Sequence, residues 1–283
     1  RTQNMTKVIQ VKPPRVFSDL KPWLQNHYQD LPKRLQSVAV FAMHNPDVIA
    51  LNTIASISEQ VGVTPSAMVR FAKSLGYQGF SDMQMVFQES MRHVPQPYSE
   101  RLNSMQRSAD TKQTVLSHFT QAASESIARL EHNVDANALL KASEQLAQAR
   151  VVYIAGQGRA EPVVAYLHYT LVKLGVHSVV LTGMPHSMAD KARMLKEDDV
   201  LLAISFSPYT ANTRELVDIC LANNTNVVAL TDSTLSPIAR GDDFHLEVLE
   251  EEVSGFRGLS ATMCLALCLA VETGRVRAEL GNQ

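Results

Sequence analysis

Two short turns hold the residues whose types and spacing could do chemistry. In VVYIAGQGRAEPVV, residues 151–164, an apolar run leads into Gly156, Gly158 and Arg159 before a helical pattern begins. In LLAISFSPYTANTRELVDIC, residues 201–220, a second apolar run ends at Ser205. Ser207 and Thr210 follow before a helix opens near Asn212. Glycines at a strand-to-helix turn let the backbone approach a ligand, and the amides that open a helix favour an anion. Hydroxyls alternating in such a turn can donate to a phosphate. They can also simply cap the helix, but three exceed what one cap needs. The first turn lacks the third glycine of a dinucleotide fingerprint and carries Ala160 instead of a polar residue.

Stepping outward from the turns, residues 151–155, 176–181, 200–205, 226–231 and 244–249 are short apolar runs rich in β-branched residues. Helical patterns separate them at 160–174, 187–196, 212–223 and 235–240, and a last one covers 256–273. Continuous apolar strands alternating with helices predict a five-stranded parallel sheet covered on both faces. Ligand is then expected beyond the carboxyl ends of the strands.

Before residue 93 the pattern is helical, at 17–29, 31–44, 53–60, 65–75 and 80–92. HVPQPYSERLNSMQRSAD then reads as a linker or loose helix start, and helices follow at 112–131 and 136–149. The expected domains are therefore residues 1–92, all-helical, and 112–283, α/β, joined by 93–111. Within the first, TIASISEQVGVTPSAMVRFAKSLGY predicts a helix-turn-helix. Gly62 supplies a left-handed turn, Thr64 an N-cap and Pro65 the first helical position. Ala55, Val63, Val69, Phe71 and Leu75 are the expected contact between the two helices. The second helix would lead into a DNA major groove with its N-terminus. Thr64, Ser66, Ala67, Met68, Arg70 and Lys73 are the DNA-facing candidates, with phosphates also met by amides near Tyr77–Phe80.

Composition and charge narrow the class. The chain of 283 residues is 45% apolar and 19% charged, as a globular protein is. The longest apolar run, residues 259–271, is short of the roughly 20 residues that span a bilayer, and RTQNMTKVIQ has no signal-peptide pattern. Cys220, Cys264 and Cys268 form neither an even disulfide set nor a C-x-x-C, so no metal or cofactor is expected and a reducing cytoplasm fits. Residues 1–110 carry 12 Lys/Arg against 8 Asp/Glu, and the remainder 14 against 20. A basic front on an acidic back points to an anionic partner for the front.

Taken together, AGQGRAEPVVAYLHYTLVKLG and DDVLLAISFSPYTANTRELVDICLANNTNVVALTDSTLSPIARGDDFHLEV resemble a sugar isomerase (SIS) domain. Preceded by TIASISEQVGVTPSAMVRFAKSLGYQGFSDMQ, the pairing resembles the RpiR family of bacterial transcriptional regulators. The resemblance implies a flavodoxin-like three-layer SIS domain that binds phosphosugars through a G-x-G-x-S turn and an S-x-S-G-x-T turn. On this chain those turns are Gly156 and Gly158, then Ser205, Ser207 and Thr210. Ala160 stands at the usual serine and Pro208 at the usual glycine, followed by Tyr209. Arg159 either offsets the lost hydroxyl or is a surface residue, and His186 and Glu252 are further candidates to line the pocket.

The implied function is transcriptional regulation of carbohydrate metabolism, with double-stranded operator DNA and a phosphosugar or related acidic sugar as partners. A homodimer or tetramer is expected, cytoplasmic and on the nucleoid when DNA-bound. The alternative is a phosphosugar aldose–ketose isomerase with a helical appendage. It would need a proton-transferring group among Glu250, Glu251, Glu252, His168, His186 and His245.

Overall fold

Apolar residues at helical spacing form helices up to residue 92: α1 (Phe17–His27), α2 (Lys33–His44), α3 (Pro46–Leu51), α4 (Ile54–Val61), α5 (Pro65–Ser74) and α6 (Phe80–Arg92). The computed structural model describes residues 13–92, 98–108, 114–234, 236–240 and 244–281. Leu24, Val38, Ala42, Ile57, Met68, Phe71, Met83 and Phe87 are among the buried side chains that hold these helices together. The short α3 was not expected, because Asn45-Pro46 reads as a break. Proline tolerates the first helical position and restarts the chain there.

The turn between α4 and α5 is as the sequence predicts. Gly62 sits at φ +73°, the N–H of Val63 reaches the carbonyl of Ser58 at 2.9 Å, and that of Gly62 reaches Glu59 at 3.2 Å. This is the paired closure of a left-handed helix end. Thr53 caps α4 through Ser56 N, whereas the Thr64 hydroxyl pairs with Ser66 at 3.1 Å and caps no amide of α5. After α5, Asp82 accepts from Gln78 N at 2.8 Å and pairs with Arg15 at 2.5 Å. Tyr77 is buried and donates its hydroxyl to Pro14 O at 2.7 Å.

The chain divides into two compact units, residues 1–100 and 101–283. The division falls within the expected linker, 93–111, much of which helix α7 (Tyr98–Ser108) occupies. Its polar composition hid the helical spacing of Tyr98, Leu102 and Met105. The remaining linker residues, 93–97 and 109–111, lie outside the described residues.

In the second unit α8 (Val115–Asn133) and α9 (Ala136–Gln148) precede the alternating part: β1 (Val152–Gly156), α10 (Glu161–Lys173), β2 (Ser178–Val180), α11 (Pro185–Arg193), β3 (Val200–Ser205), α12 (Ala211–Ala222), β4 (Asn226–Thr231) and β5 (His245–Glu247). The sheet is parallel throughout, in the order β2-β1-β3-β4-β5, which is the doubly wound arrangement. Every residue of β3 is buried, as a central strand covered on both faces requires. One face packs on α9, α10 and the last helix, α13 (Ser260–Gly281), and the other on α11 and α12. Arg277 on α13 donates to the Ala147 carbonyl at the end of α9 at 2.9 Å, supplying a cation where that helix leaves orphan acceptors.

Two expected helices are corrected. Residues 236–240 form a turn, closed by Ser236 N on Ser233 O and Ala239 N on Ser236 O. Residues 252–257 form a hairpin, β6 (Glu252–Val253) and β7 (Phe256–Arg257), where the last helix was expected to start at 256. Ser254 and Gly255 both take positive φ at its tip, which ends any helical run. The last helix then runs on to 281 through Gly274, where a Cβ would come 3.0 Å from Leu174.

Hydrogen bonding to Gln78 N, and secondarily Arg15, holds the Asp82 carboxyl below the usual range. A carboxyl depressed in the folded state adds stability above its unfolded value and loses it as pH falls through the folded one. Asp82→Asn is expected to cost about 1 kcal/mol at pH 7. In urea titrations across pH, the difference from the unsubstituted protein shrinks as pH falls below the ordinary carboxylate range.

Candidate functional site

On α5 the exposed and buried faces separate cleanly. Thr64, Ser66, Arg70 and Lys73 are exposed, and Ser66, Arg70 and Lys73 follow at helical spacing on one face. Ala67 and Met68 were expected on that face but are only 3% and 0% exposed, in the core of the first unit. The helix is rotated relative to the sequence reading. Its inner stripe is Ala67, Met68, Phe71, Ala72 and Leu75, while Val63 and Val69 are half-buried and Ala55 is exposed. Of the amides expected to meet phosphates, Tyr77 N is used on Ala72 O and Gln78 N on Asp82. What the helix presents outward is two hydroxyls and two cations around a proline-initiated N-terminus, which suits a phosphate backbone and acceptor-rich base edges.

The second site lies at the carboxyl end of the sheet. Gly156 pairs in register with Ile204, and Ser205 with Thr231, so the ends of β1, β3 and β4 lie side by side. A Cβ on Gly156 would meet Ile204 O and Val164 Cγ2 at 2.9 Å and Ala160 Cβ at 3.0 Å. Glycine is required there for backbone approach, and the usual serine position is filled by a buried alanine methyl. Gly158 sits at φ +58° and its amide is bound to Glu161 Oε1 at 3.1 Å.

Arg159 reaches over this end of the sheet. Its guanidinium lies 4.8 Å from the centre of the Phe206 ring and donates to Gly258 O at 3.1 Å. It is half-buried, yet among the described residues it makes no ion pair. Burial first, and the nearby Arg257 second, lower its pKa from the ordinary arginine value. An anion placed against it would relieve both.

The second turn is tied down by its own neighbours. Ser205 is buried and its carbonyl accepts from Thr231 Oγ1 at 2.8 Å. The Ser207 amide donates to Asp232 Oδ2 at 3.1 Å, and Tyr209 donates its hydroxyl to Asp232 Oδ1 at 2.8 Å. Thr210 and Thr213 hydroxyls pair at 2.7 Å, and Asn212 bridges to Gln157 of the first turn at 3.2 Å. Burial and then Asp232 raise the Tyr209 pKa. Arg257, on β7, donates to Ser207 O at 2.9 Å and pairs with Glu252 at 2.7 Å.

The structure thus brings Gly156, Gly158, Arg159, Ser205, Ser207 and Thr210 to one end of the sheet, with Glu252 joined through Arg257. His186 is exposed in the first turn of α11 and makes no hydrogen bond to these turns among the described residues. His168 hydrogen-bonds Ser178, and Glu250 accepts from Thr262 N and Oγ1 at the start of α13, both at 2.7 Å. Gln157, Asp232 and Arg257 were not among the expected residues. Asp232 directly follows β4 at the ligand end of the sheet, which was a legible signal. Arg257 was concealed inside the expected last helix.

Comparison with known proteins gives both units a family. Residues 18–93 match the helix-turn-helix domain of the rpiR family, and residues 145–272 match the SIS domain. The chain belongs to the RpiR family of transcriptional regulators. A Haemophilus influenzae HTH-type transcriptional regulator is 24% identical over 219 residues, 77% of this chain and 76% of that one. The Escherichia coli regulator YfhH is 25% identical over 245 residues, 84% of each chain. Among solved structures, Vibrio vulnificus NanR complexed with ManNAc-6P covers 91% of this chain and 90% of its own, with a TM-score of 0.53 and 20% identity. The sugar isomerase domain of an RpiR transcription factor from Sphaerobacter thermophilus covers 60% of this chain and all of its own, with a TM-score of 0.54 and 21% identity. The two structures share the fold, and these two curated relatives are named transcriptional regulators.

For this RpiR regulator the two faces of α5 make separable predictions. Met68→Ala removes a core side chain and lowers unfolding stability by about 2–5 kcal/mol in urea. Arg70→Ala changes stability by no more than about 0.5 kcal/mol, and lowers DNA affinity with a shallower salt dependence in fluorescence anisotropy.

Proposed function

We propose that the regulator binds operator DNA through Thr64, Ser66, Arg70 and Lys73 on α5, and that its SIS domain senses a phosphosugar or related acidic sugar that modulates this binding. The observation that carries the sensing half is Arg159, a half-buried cation at the carboxyl end of the sheet with no ion pair among the described residues. The phosphosugar in the NanR complex supports an acidic sugar as the class of ligand.

An effector changes operator affinity only through its different affinity for the DNA-competent and incompetent arrangements. The β6–β7 hairpin is placed to report occupancy within the second unit. On one side Arg257 ties it to the second turn. On the other, Arg101 of α7 donates to Gly255 O at 2.8 Å, and Phe119 of α8 packs edge-on against Phe256. Just before β6, Glu251 is held by Arg129 and by the Ser126 hydroxyl of α8. The working species is a homodimer in the bacterial cytoplasm, reading half-sites about 34–36 Å apart or a multiple of that. Among the described residues no helix is long and apolar enough to cross a membrane.

Gel-shift titration against the regulator's own upstream DNA, with and without acidic sugars, tests the reading. Arg159→Gln is expected to keep operator binding and to weaken the effector response about 10- to 100-fold. An unchanged response, or no sequence-specific complex with any upstream segment, would contradict it.

A further inference from the structure

The second turn carries few of the donors that a phosphate needs. Its Ser207 amide is bound to Asp232 at 3.1 Å, and the Tyr209 hydroxyl is bound to the same carboxylate at 2.8 Å. Pro208 has no N–H to offer. The Thr210 hydroxyl is engaged with Thr213. An internal carboxylate therefore takes up two of the donors that an incoming anion would use, and leaves it the Ser207 hydroxyl.

We propose that Asp232 excludes phosphate from the second turn, so that the effector is a sugar acid whose carboxylate meets Arg159 and Arg257 while its hydroxyls face Asp232 and Tyr209. This rests on the sensing reading above and narrows its ligand class. A phosphate oxygen and an ionised carboxylate are both acceptors and share no proton between them, whereas a sugar hydroxyl donates readily to Asp232. Charge acts in the same direction. Asp232, Glu250 and Glu252 all act on Arg159, against the single further cation Arg257. A monoanionic carboxylate is tolerated in such surroundings better than a phosphate dianion. Its two oxygens also match the guanidinium fork of Arg159, whose only hydrogen bond among the described residues is to Gly258 O.

The test is calorimetric titration of the full chain and of Asp232→Asn. The probes are inorganic phosphate and a panel of aldonic and uronic acids with the corresponding sugar phosphates. The unsubstituted protein is expected to bind its best sugar acid at least tenfold more tightly than any sugar phosphate. Asp232→Asn, which keeps an acceptor for the Ser207 amide, is expected to shift the preference toward phosphate tenfold or more and to gain affinity for inorganic phosphate. Asp232→Asn combined with Pro208→Gly, which adds a backbone donor, extends that gain. Melting temperatures confirm that each variant is folded, and if Asp232→Asn is not, Asp232→Ser replaces it. Tighter binding of a sugar phosphate by the unsubstituted protein, or an unchanged phosphate affinity in the folded variants, overturns the proposal. Binding of neither class to any of the proteins overturns the sensing reading together with it.

Discussion

A half-buried guanidinium, Arg159, that makes no ion pair among the described residues is the constraint around which this end of the SIS domain is arranged. Removing a charge from water is costly unless it is paired and hydrogen-bonded. Arg159 meets that demand only in part, through the face of Phe206 and one carbonyl, that of Gly258. The strand ends beneath it are fixed by the tight fit of Gly156 against Ile204 and Val164. The loop above it is fixed by Glu250, whose bonds to Thr262 seat the start of α13. Arg159 is thus held from both sides at the strand ends, where the proposed function has it meet an anion.

The same pocket departs from the family pattern in a coherent way. Ala160 removes a hydroxyl from the first turn and buries a methyl there, while Pro208 removes an amide from the second. Asp232 then takes up the donors that remain nearest it, and Arg257 brings the hairpin onto Ser207. These are separate residues on four different segments, yet Ala160, Pro208 and Asp232 each remove or engage a donor that cradling of a phosphate would use, as the proposed sugar-acid ligand requires.

Much of this was legible in the sequence because burial on both faces of a parallel sheet leaves continuous apolar runs. The bounds of β3 and β4 match the apolar runs, and both turns fall where the glycines and hydroxyls place them. The phase of α5 was misread, although helical spacing carries it. Val69 lies just beside the stripe of Ala67, Met68, Phe71, Ala72 and Leu75, so taking it as inward turned Met68 to the outside. The hairpin was concealed because Gly-Phe-Arg-Gly precedes a long apolar stretch and merges with it. Asp232 was visible as a residue but not as a partner, since its bonds to Ser207 and Tyr209 arise from strand register.

In the proposed function ligand and DNA bind to separate units of one chain, so the two must be thermodynamically linked. Linkage is reciprocal: whatever factor an acidic sugar imposes on operator affinity, operator must impose on sugar affinity. The most direct measurement is calorimetric titration of the acidic sugar into the regulator alone and into the regulator saturated with operator. The account predicts two sugar affinities that differ by roughly 5- to 150-fold, matching the ratio of operator affinities with and without the sugar. Identical sugar affinities in the two titrations would contradict it.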